Sequence, residues 1–195
     1  MTFRLGLTGS IGMGKSTTAA MFAAAGLPVW DADSAVHRLY AHGGLAVAAI
    51  SRICPAATKG GDVSRETLKR AIAADPNLLA QLETITHPLV AADRAAFLAN
   101  TTADIAILDI PLLFEKSSQN DFHATLLVTA PPDLQRSRVL NRPGMTEQHF
   151  QTLLARQMPD ADKRALATHI VETLDFSATE AYVKALIAHI RARHA

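Results

Sequence analysis

Gly9, Gly14, Lys15 and Ser16 stand at the spacing G-x-x-x-x-G-K-[ST] in the stretch GLTGSIGMGKSTT, with an apolar run before it and a helix-like segment after it. Residue types at that spacing bind phosphate. Glycines leave room for backbone N–H groups to converge on phosphate oxygens, and the lysine puts a point charge on the β- and γ-phosphates. The serine hydroxyl supplies a ligand for Mg2+, and the following helix offers the positive end of its dipole. The chain is therefore expected to bind a nucleoside triphosphate. The loop alone does not say where the phosphate goes. The N-K-x-D and D-x-x-G signatures of guanine-specific switch proteins are not found in suitable positions.

A second group of residues reads as phosphoryl-transfer chemistry. PVWDADSAVH places Asp31 and Asp33 where a short apolar run ends. Phosphorylating a hydroxyl calls for a carboxylate that orients it and takes its proton. Asp33 is assigned that base role, with Asp31 supporting the metal or the hydroxyl; the plain alternative is that Asp33 caps a helix beginning at Ser34. IAILDIPLLFE puts Asp109 at the end of an apolar strand, a position suited to a magnesium-bound water, with an ordinary strand-end acid as the equal alternative. Glu115 closes the same run as a helix starter. LQRSRVLNRPGM holds Arg136, Arg138 and Arg142. Arg138 and Arg142 are four apart and are expected to converge from one helix face on an anion, in a mobile lid that neutralises charge as the phosphoryl group moves. Arg156, Lys163 and Arg164 are weaker candidates. His87 precedes Pro88 and reads as a helix start, more structural than catalytic. The remaining histidines show no metal-ligand spacing, so no zinc site is expected.

These residues need a frame. Five short apolar runs are expected as strands: Phe3–Thr8, Pro28–Asp31, Ile105–Asp109, Ala124–Thr129 and His169–Glu172. Each is followed by helix-like sequence, which predicts an α/β fold with a parallel sheet and ligands beyond the strands' C-terminal ends. One crossover is too long: about seventy residues separate Ala32 from Asp104, where a dozen or two suffice. It reads as helices over Ser34–Ala41, Leu45–Ile53, Ser64–Ala73, Pro76–Thr86 and Pro88–Ala99, that is, a helical insert over 32–103. The core is then 1–31 and 104–195, with the lid at approximately 136–158.

Bulk properties exclude several classes. With 49% hydrophobic and 19% charged residues, a packed core is readily supplied. A net charge of +1 gives no global field toward nucleic acid or an anionic membrane. One cysteine, Cys54, forms no internal disulfide and reads as a small core residue in a reducing compartment. No window approaches the ~20 apolar residues of a membrane span, and the N-terminal apolar stretch is too short for a signal peptide. A cytoplasmic protein is expected, a monomer with a weak homo-oligomer as the alternative.

Taken in order, GLTGSIGMGKST, GLPVWDADSAVH, THPLV, DIPLLFE and RVLNR…RQMPDADKRALA resemble the dephospho-CoA kinase family across most of the chain. The resemblance implies a P-loop kinase fold, a five-stranded parallel sheet flanked by helices with a helical substrate-binding insert and a lid. It implies transfer of the ATP γ-phosphate to the ribose 3′-hydroxyl of dephospho-CoA, with ATP and Mg2+ as cofactors and no nucleic-acid or membrane partner. On this sequence Gly9, Ile11, Gly12, Met13, Gly14, Lys15, Ser16 and Thr17 would hold ATP, and Ser16 and Asp109 the metal, directly or through water. Asp33, Lys15, Arg138 and Arg142 would be catalytic. Asp31, Asp33, His87, Leu112, Leu113 and Phe114 would meet the acceptor, the last three as an apolar wall. Pro143 stands where the family commonly has an acid after the second lid arginine, and ATHIVET with Thr173 replaces the usual A-D-Y-V-I-x-N. A shikimate-type kinase is the nearest rival, because it shares a D-x-D after the second strand, but it should carry a glycine triplet where this chain has DIPLLFE. A slow regulatory ATPase would leave the insert and the lid arginines unexplained.

Overall fold

Short apolar runs without alternation demand burial on both faces, and the computed structural model, which describes residues 1–194, builds them into one sheet. Its strands are β1 (Phe3–Thr8), β2 (Val29–Asp31), β3 (Ile105–Asp109), β4 (Ala124–Thr129) and β5 (His169–Glu172), in the order β2-β3-β1-β4-β5. β1 runs parallel to β3 and β4, and β4 to β5. The second strand begins at Val29 rather than the expected Pro28, which has no N–H for the ladder but whose carbonyl accepts the Ile107 N–H at 2.9 Å.

The chain divides into two compact units, Met1–Trp30 with Thr101–Ala195, and Asp31–Asn100. The first holds the sheet with α1 (Lys15–Ala24), and the second holds α2 (Ala32–Tyr40), α3 (Val47–Ile53), α4 (Arg65–Ala74) and α5 (Asn77–Asn100). The chain then returns to the first unit for α6 (Pro132–Leu140), α7 (Glu147–Leu154), α8 (Asp160–Leu166) and α9 (Phe176–His194).

In the first unit, Leu5 and Leu7 of β1 point into a cluster with Phe22 of α1, Ile107, Leu126 and Val128 of the neighbouring strands, and Val183 and Ile187 of α9. Full burial of each such side chain is worth about 1.5–3 kcal/mol. Gly6 alternates with them and faces the other way. A Cβ there would lie 2.8 Å from Leu113 and 2.9 Å from Phe122, so the glycine opens the slot in which both seat.

The second unit has its own core of Leu39, Tyr40, Ile50, Leu68, Leu78 and Leu82, and the lone Cys54 is buried among them. Ser64 caps α4 by accepting the Thr67 N–H at 3.2 Å. Several expectations fail here. The helices expected over Pro76–Thr86 and Pro88–Ala99 form the single helix α5, and His87 lies within it instead of starting a helix. Proline removes one hydrogen bond, but Leu82, Ile85, Leu89 and Val90 pack into the core on both sides of it, and buried Thr86 bonds the Tyr40 hydroxyl at 3.2 Å. The helix after Asp31 starts at Ala32, not Ser34, and its cap is Asp31, whose side chain accepts the Ser34 N–H at 2.6 Å. Asp33 is therefore not the cap. The helix expected from Leu45 begins at Val47.

Candidate active site

β1 ends at Thr8 and α1 begins at Lys15, and the glycines between them are demanded by shape as well as by ligand. A Cβ on Gly9 would lie 2.6 Å from the Val128 carbonyl oxygen of β4. Gly12 and Gly14 have φ of +78° and +90°, a region that side chains disfavour. No side chain caps α1, whose cap residue is Gly14. The first-turn N–H groups, together with the helix dipole, make this end an anion seat.

The loop lysine is held by the third strand. Asp109 sits in register with Leu7 at the end of β3, and Lys15 Nζ donates to its Oδ1. Asp109 is thus a buried carboxylate, its side chain 5% exposed, and not a solvated strand end. The Ser16 hydroxyl and the Asp109 carboxylate are hard oxygen donors of the kind Mg2+ takes.

Beyond α1 lies a cavity of about 340 Å3 lined by Gly12, Gly14, Thr17, Arg138, Arg142, Thr173 and the apolar Leu174 and Phe176. Its back wall is knotted at Thr173. The Thr173 hydroxyl donates to the Met13 carbonyl at 2.8 Å, while Arg138 donates to that hydroxyl at 2.9 Å and to the Thr173 carbonyl at 2.7 Å. Met13 itself is buried, its sulfur 3.0 Å from the Ala130 N–H, so only its backbone borders the loop's inner side. Arg138 and Arg142 share the cavity, as expected, but not one helix face. α6 ends at Leu140, and Arg142 lies in the exposed turn after it, its N–H bonded to the Val139 carbonyl at 3.1 Å. Arg136 instead pairs with Glu147 of α7 at 2.7 Å.

Sequence reasoning named Glu115 and Lys163 but missed their pairing behind the loop. Lys163 of α8 is fully buried (0% exposed) and donates to Glu115 at 2.8 Å and to the Ser10 hydroxyl at 3.1 Å. Glu115 also accepts the Met158 N–H at 3.0 Å. It starts no helix: the stretch after β3 is a run of turns. Burial alone would push the Glu115 pKa up, but the bonds from Lys163 and Met158 outweigh it and hold the carboxyl below its ordinary range. The one available signal was a glutamate closing an apolar run and a lysine on a short helix, which is too little to pair them. Ile11 is held as well, by Gln157 at its N–H and Gln135 at its carbonyl.

The expected acceptor wall shrinks. Leu113 and Phe114 are 0% and 2% exposed, because Gly6 seats Leu113 against the sheet; Leu112 alone, at 39%, remains accessible. In the second unit Asp33 is exposed in the first turn of α2, and His87 is exposed on α5, 3.8 Å from Glu83. Among the described residues there is no cluster of three or more His, Cys, Asp or Glu side chains fit for a metal, and no helix long and apolar enough to cross a membrane.

Comparison with known proteins agrees with this geometry. The sequence model of the dephospho-CoA kinase family matches residues 3–176. A curated dephospho-CoA kinase of Cereibacter sphaeroides is 66% identical over 189 residues, covering 97% of this chain and 96% of the relative. Among solved structures, TT1252 of Thermus thermophilus superposes with a TM-score of 0.86 at 34% identity, covering 96% of this chain and 97% of that one. A dephospho-CoA kinase from Campylobacter jejuni gives 0.72 at 20% identity over 97% and 98%, a likeness of fold.

Proposed function

The chain belongs to the dephospho-CoA kinase family, and from that premise we propose how its residues carry a phosphoryl group from ATP to dephospho-CoA, the last step of coenzyme A synthesis. The observation that carries the residue roles is the cavity of about 340 Å3 in which Gly12, Gly14 and Thr17 at an uncapped helix N-terminus and two arginines meet the apolar Leu174 and Phe176. A nucleotide asks for that combination: cationic donors for its phosphates and apolar surface for its base.

The N–H groups of Gly12 to Thr17 hold the β- and γ-phosphates, and Lys15 exchanges its Asp109 partner for phosphate oxygen when ATP enters. Ser16 and Asp109 would hold Mg2+, whose charge would offset that of the phosphates. Asp33 takes the proton from the acceptor's 3′-hydroxyl as its oxygen forms a bond to the γ-phosphorus. The bond from that phosphorus to the β-bridging oxygen breaks, and ADP leaves. Arg142, on a turn, meets the charge of the moving phosphoryl group; Arg138, engaged by Thr173, fixes the base of the lid. Asp31, His87 and Leu112 contribute to acceptor binding, and the helical insert takes the pantetheine-bearing part. A cytoplasmic monomer acting on two soluble small molecules completes the reading.

The test mixes the purified protein with Mg-ATP and dephospho-CoA and follows coenzyme A and ADP in equal amounts. Robust phosphorylation of shikimate or a nucleoside, with none of dephospho-CoA, would sink it.

A further inference from the structure

The stretch carrying Arg138 and Arg142 leaves and rejoins the body of the protein near the same peptide. On its N-terminal side, Gln135 of α6 donates from Nε2 to the Ile11 carbonyl at 2.8 Å. On its C-terminal side, Gln157, just beyond α7, accepts the Ile11 N–H on Oε1 at 3.1 Å. One residue of the phosphate loop thus has both backbone groups held by side chains from the two stems of the arginine-bearing segment. The contact is built rather than incidental. Gln135 is buried, and a Cβ on Gly12, the next residue, would lie 2.4 Å from Val139 and 3.0 Å from the Gln135 carbonyl oxygen. α6 therefore rests directly on the loop. The preceding residue, Ser10, is held by buried Lys163, whose partner Glu115 bonds the Met158 N–H beside Gln157.

We propose that Gln135 and Gln157 are positioning residues that clamp the Ile11 peptide and so couple the phosphate loop to the lid arginines. A peptide held at both N–H and C=O loses most of its freedom to rotate, so the loop keeps its phosphate-binding shape before the nucleotide arrives. The same two bonds tie each stem of the lid to that shape. Movement of Arg142 away from the cavity pulls on a peptide of the loop, and phosphates that hold the loop still favour the stems where they are. The coupling rests on the reading of the loop as an ATP site; the clamp itself does not.

Two measurements separate these. Amide hydrogen exchange of the ligand-free protein reads the clamp without any activity. Gln157→Leu should speed exchange at Ile11 about tenfold or more, since one good hydrogen bond is worth roughly that factor. Gln157→Glu, which keeps an acceptor oxygen, should leave Ile11 protected. Steady-state kinetics with Mg-ATP and dephospho-CoA read the coupling through a double-mutant cycle of Gln157→Leu with Arg142→Ala. The combined loss in kcat/KM for ATP should fall short of the product of the single losses by about fivefold or more. Unchanged Ile11 exchange in Gln157→Leu, loss of protection in Gln157→Glu, or losses that multiply within error would each overturn the proposal. A wild-type protein that makes no coenzyme A would instead refute the substrate reading, with Ile11 exchange still deciding the clamp.

Discussion

Replacing Gly12 with alanine tests whether α6 rests on the phosphate loop, and Gly26 supplies the control. Both glycines have left-handed backbones, with φ of +78° and +84°. Each substitution forces an L-residue into that region, at about 1–2 kcal/mol. Each also lowers the entropy of the unfolded chain by a similar amount, so that term cancels in the comparison. The surroundings differ. A Cβ on Gly26 meets nothing within 4 Å, whereas on Gly12 it meets Val139 Cγ2 at 2.4 Å and the Gln135 carbonyl oxygen at 3.0 Å. A side-chain methyl can turn away, but a helix carbonyl moves only with its helix, and overpacking of this kind costs about 1–3 kcal/mol. Gly12→Ala should therefore be less stable than Gly26→Ala by about 1–3 kcal/mol, read as a shift in urea midpoint at constant slope. In a thermal scan the gap is about 2–12 °C for a chain of this size. Equal destabilisation of the two variants would mean that α6 does not bear on the loop, and would remove a support of the Ile11 clamp with it.

Three further outcomes follow from the same structure. Asp33→Asn should keep ATP binding but lose about 100-fold or more in kcat, while Asp31→Ala costs about 1 kcal/mol of stability that Asp31→Ser restores; near-wild-type kcat in Asp33→Asn with loss in Asp31→Asn would exchange the two roles. Lys163→Met should destabilise by about 3–5 kcal/mol, because it leaves Glu115 a poorly solvated charge, and adding Glu115→Gln should recover much of that loss in the same denaturation assay. His123 Nδ1 accepts the Arg4 N–H at 2.8 Å, and burial, with Arg4 and His194 nearby, lowers its pKa. The unfolded chain therefore binds this proton first. The stability contributed by neutral His123 is present above the ordinary histidine pKa and is lost as pH falls through the lowered one, so His123→Gln should flatten the acid side of a stability-versus-pH curve below about pH 6.5.

What was legible in the sequence was local. Four strands begin and end where the apolar runs do; β1, β3 and β4 are buried along nearly their whole length, and a strand covered on both faces has no polar position to blur its edges. The phosphate loop is legible because few glycine spacings satisfy φ near +80° twice within a turn that must also let a helix start. Apart from shifted helix starts, the larger failures are tertiary. Pro88 predicts a break, yet core packing on both sides of it carries α5 through. Leu113 and Phe114 look like a ligand wall, yet both are buried, Leu113 in the slot that Gly6 opens on the sheet. Lys163 and Glu115 lie far apart in the chain, and no spacing joins them; only the return of α8 behind the loop does.

The pair Asp31 and Asp33 shows how a structure can divide the work of two acids that stand two positions apart in the sequence. In the sequence Asp33 reads as the base, with the cap of a helix beginning at Ser34 as its plain alternative. Helix α2 starts two residues earlier than that reading requires, and the cap is Asp31, with Oδ1 fixed on the Ser34 N–H at 2.6 Å. That carboxylate oxygen is already engaged by the helix start. Asp33, exposed in the first turn, carries no such bond to the helix start. Asp31 thus fixes the start of α2, and with it the place of Asp33 in the first turn. The carboxylate that does structural work and the one proposed for proton transfer are different residues, and the first positions the second.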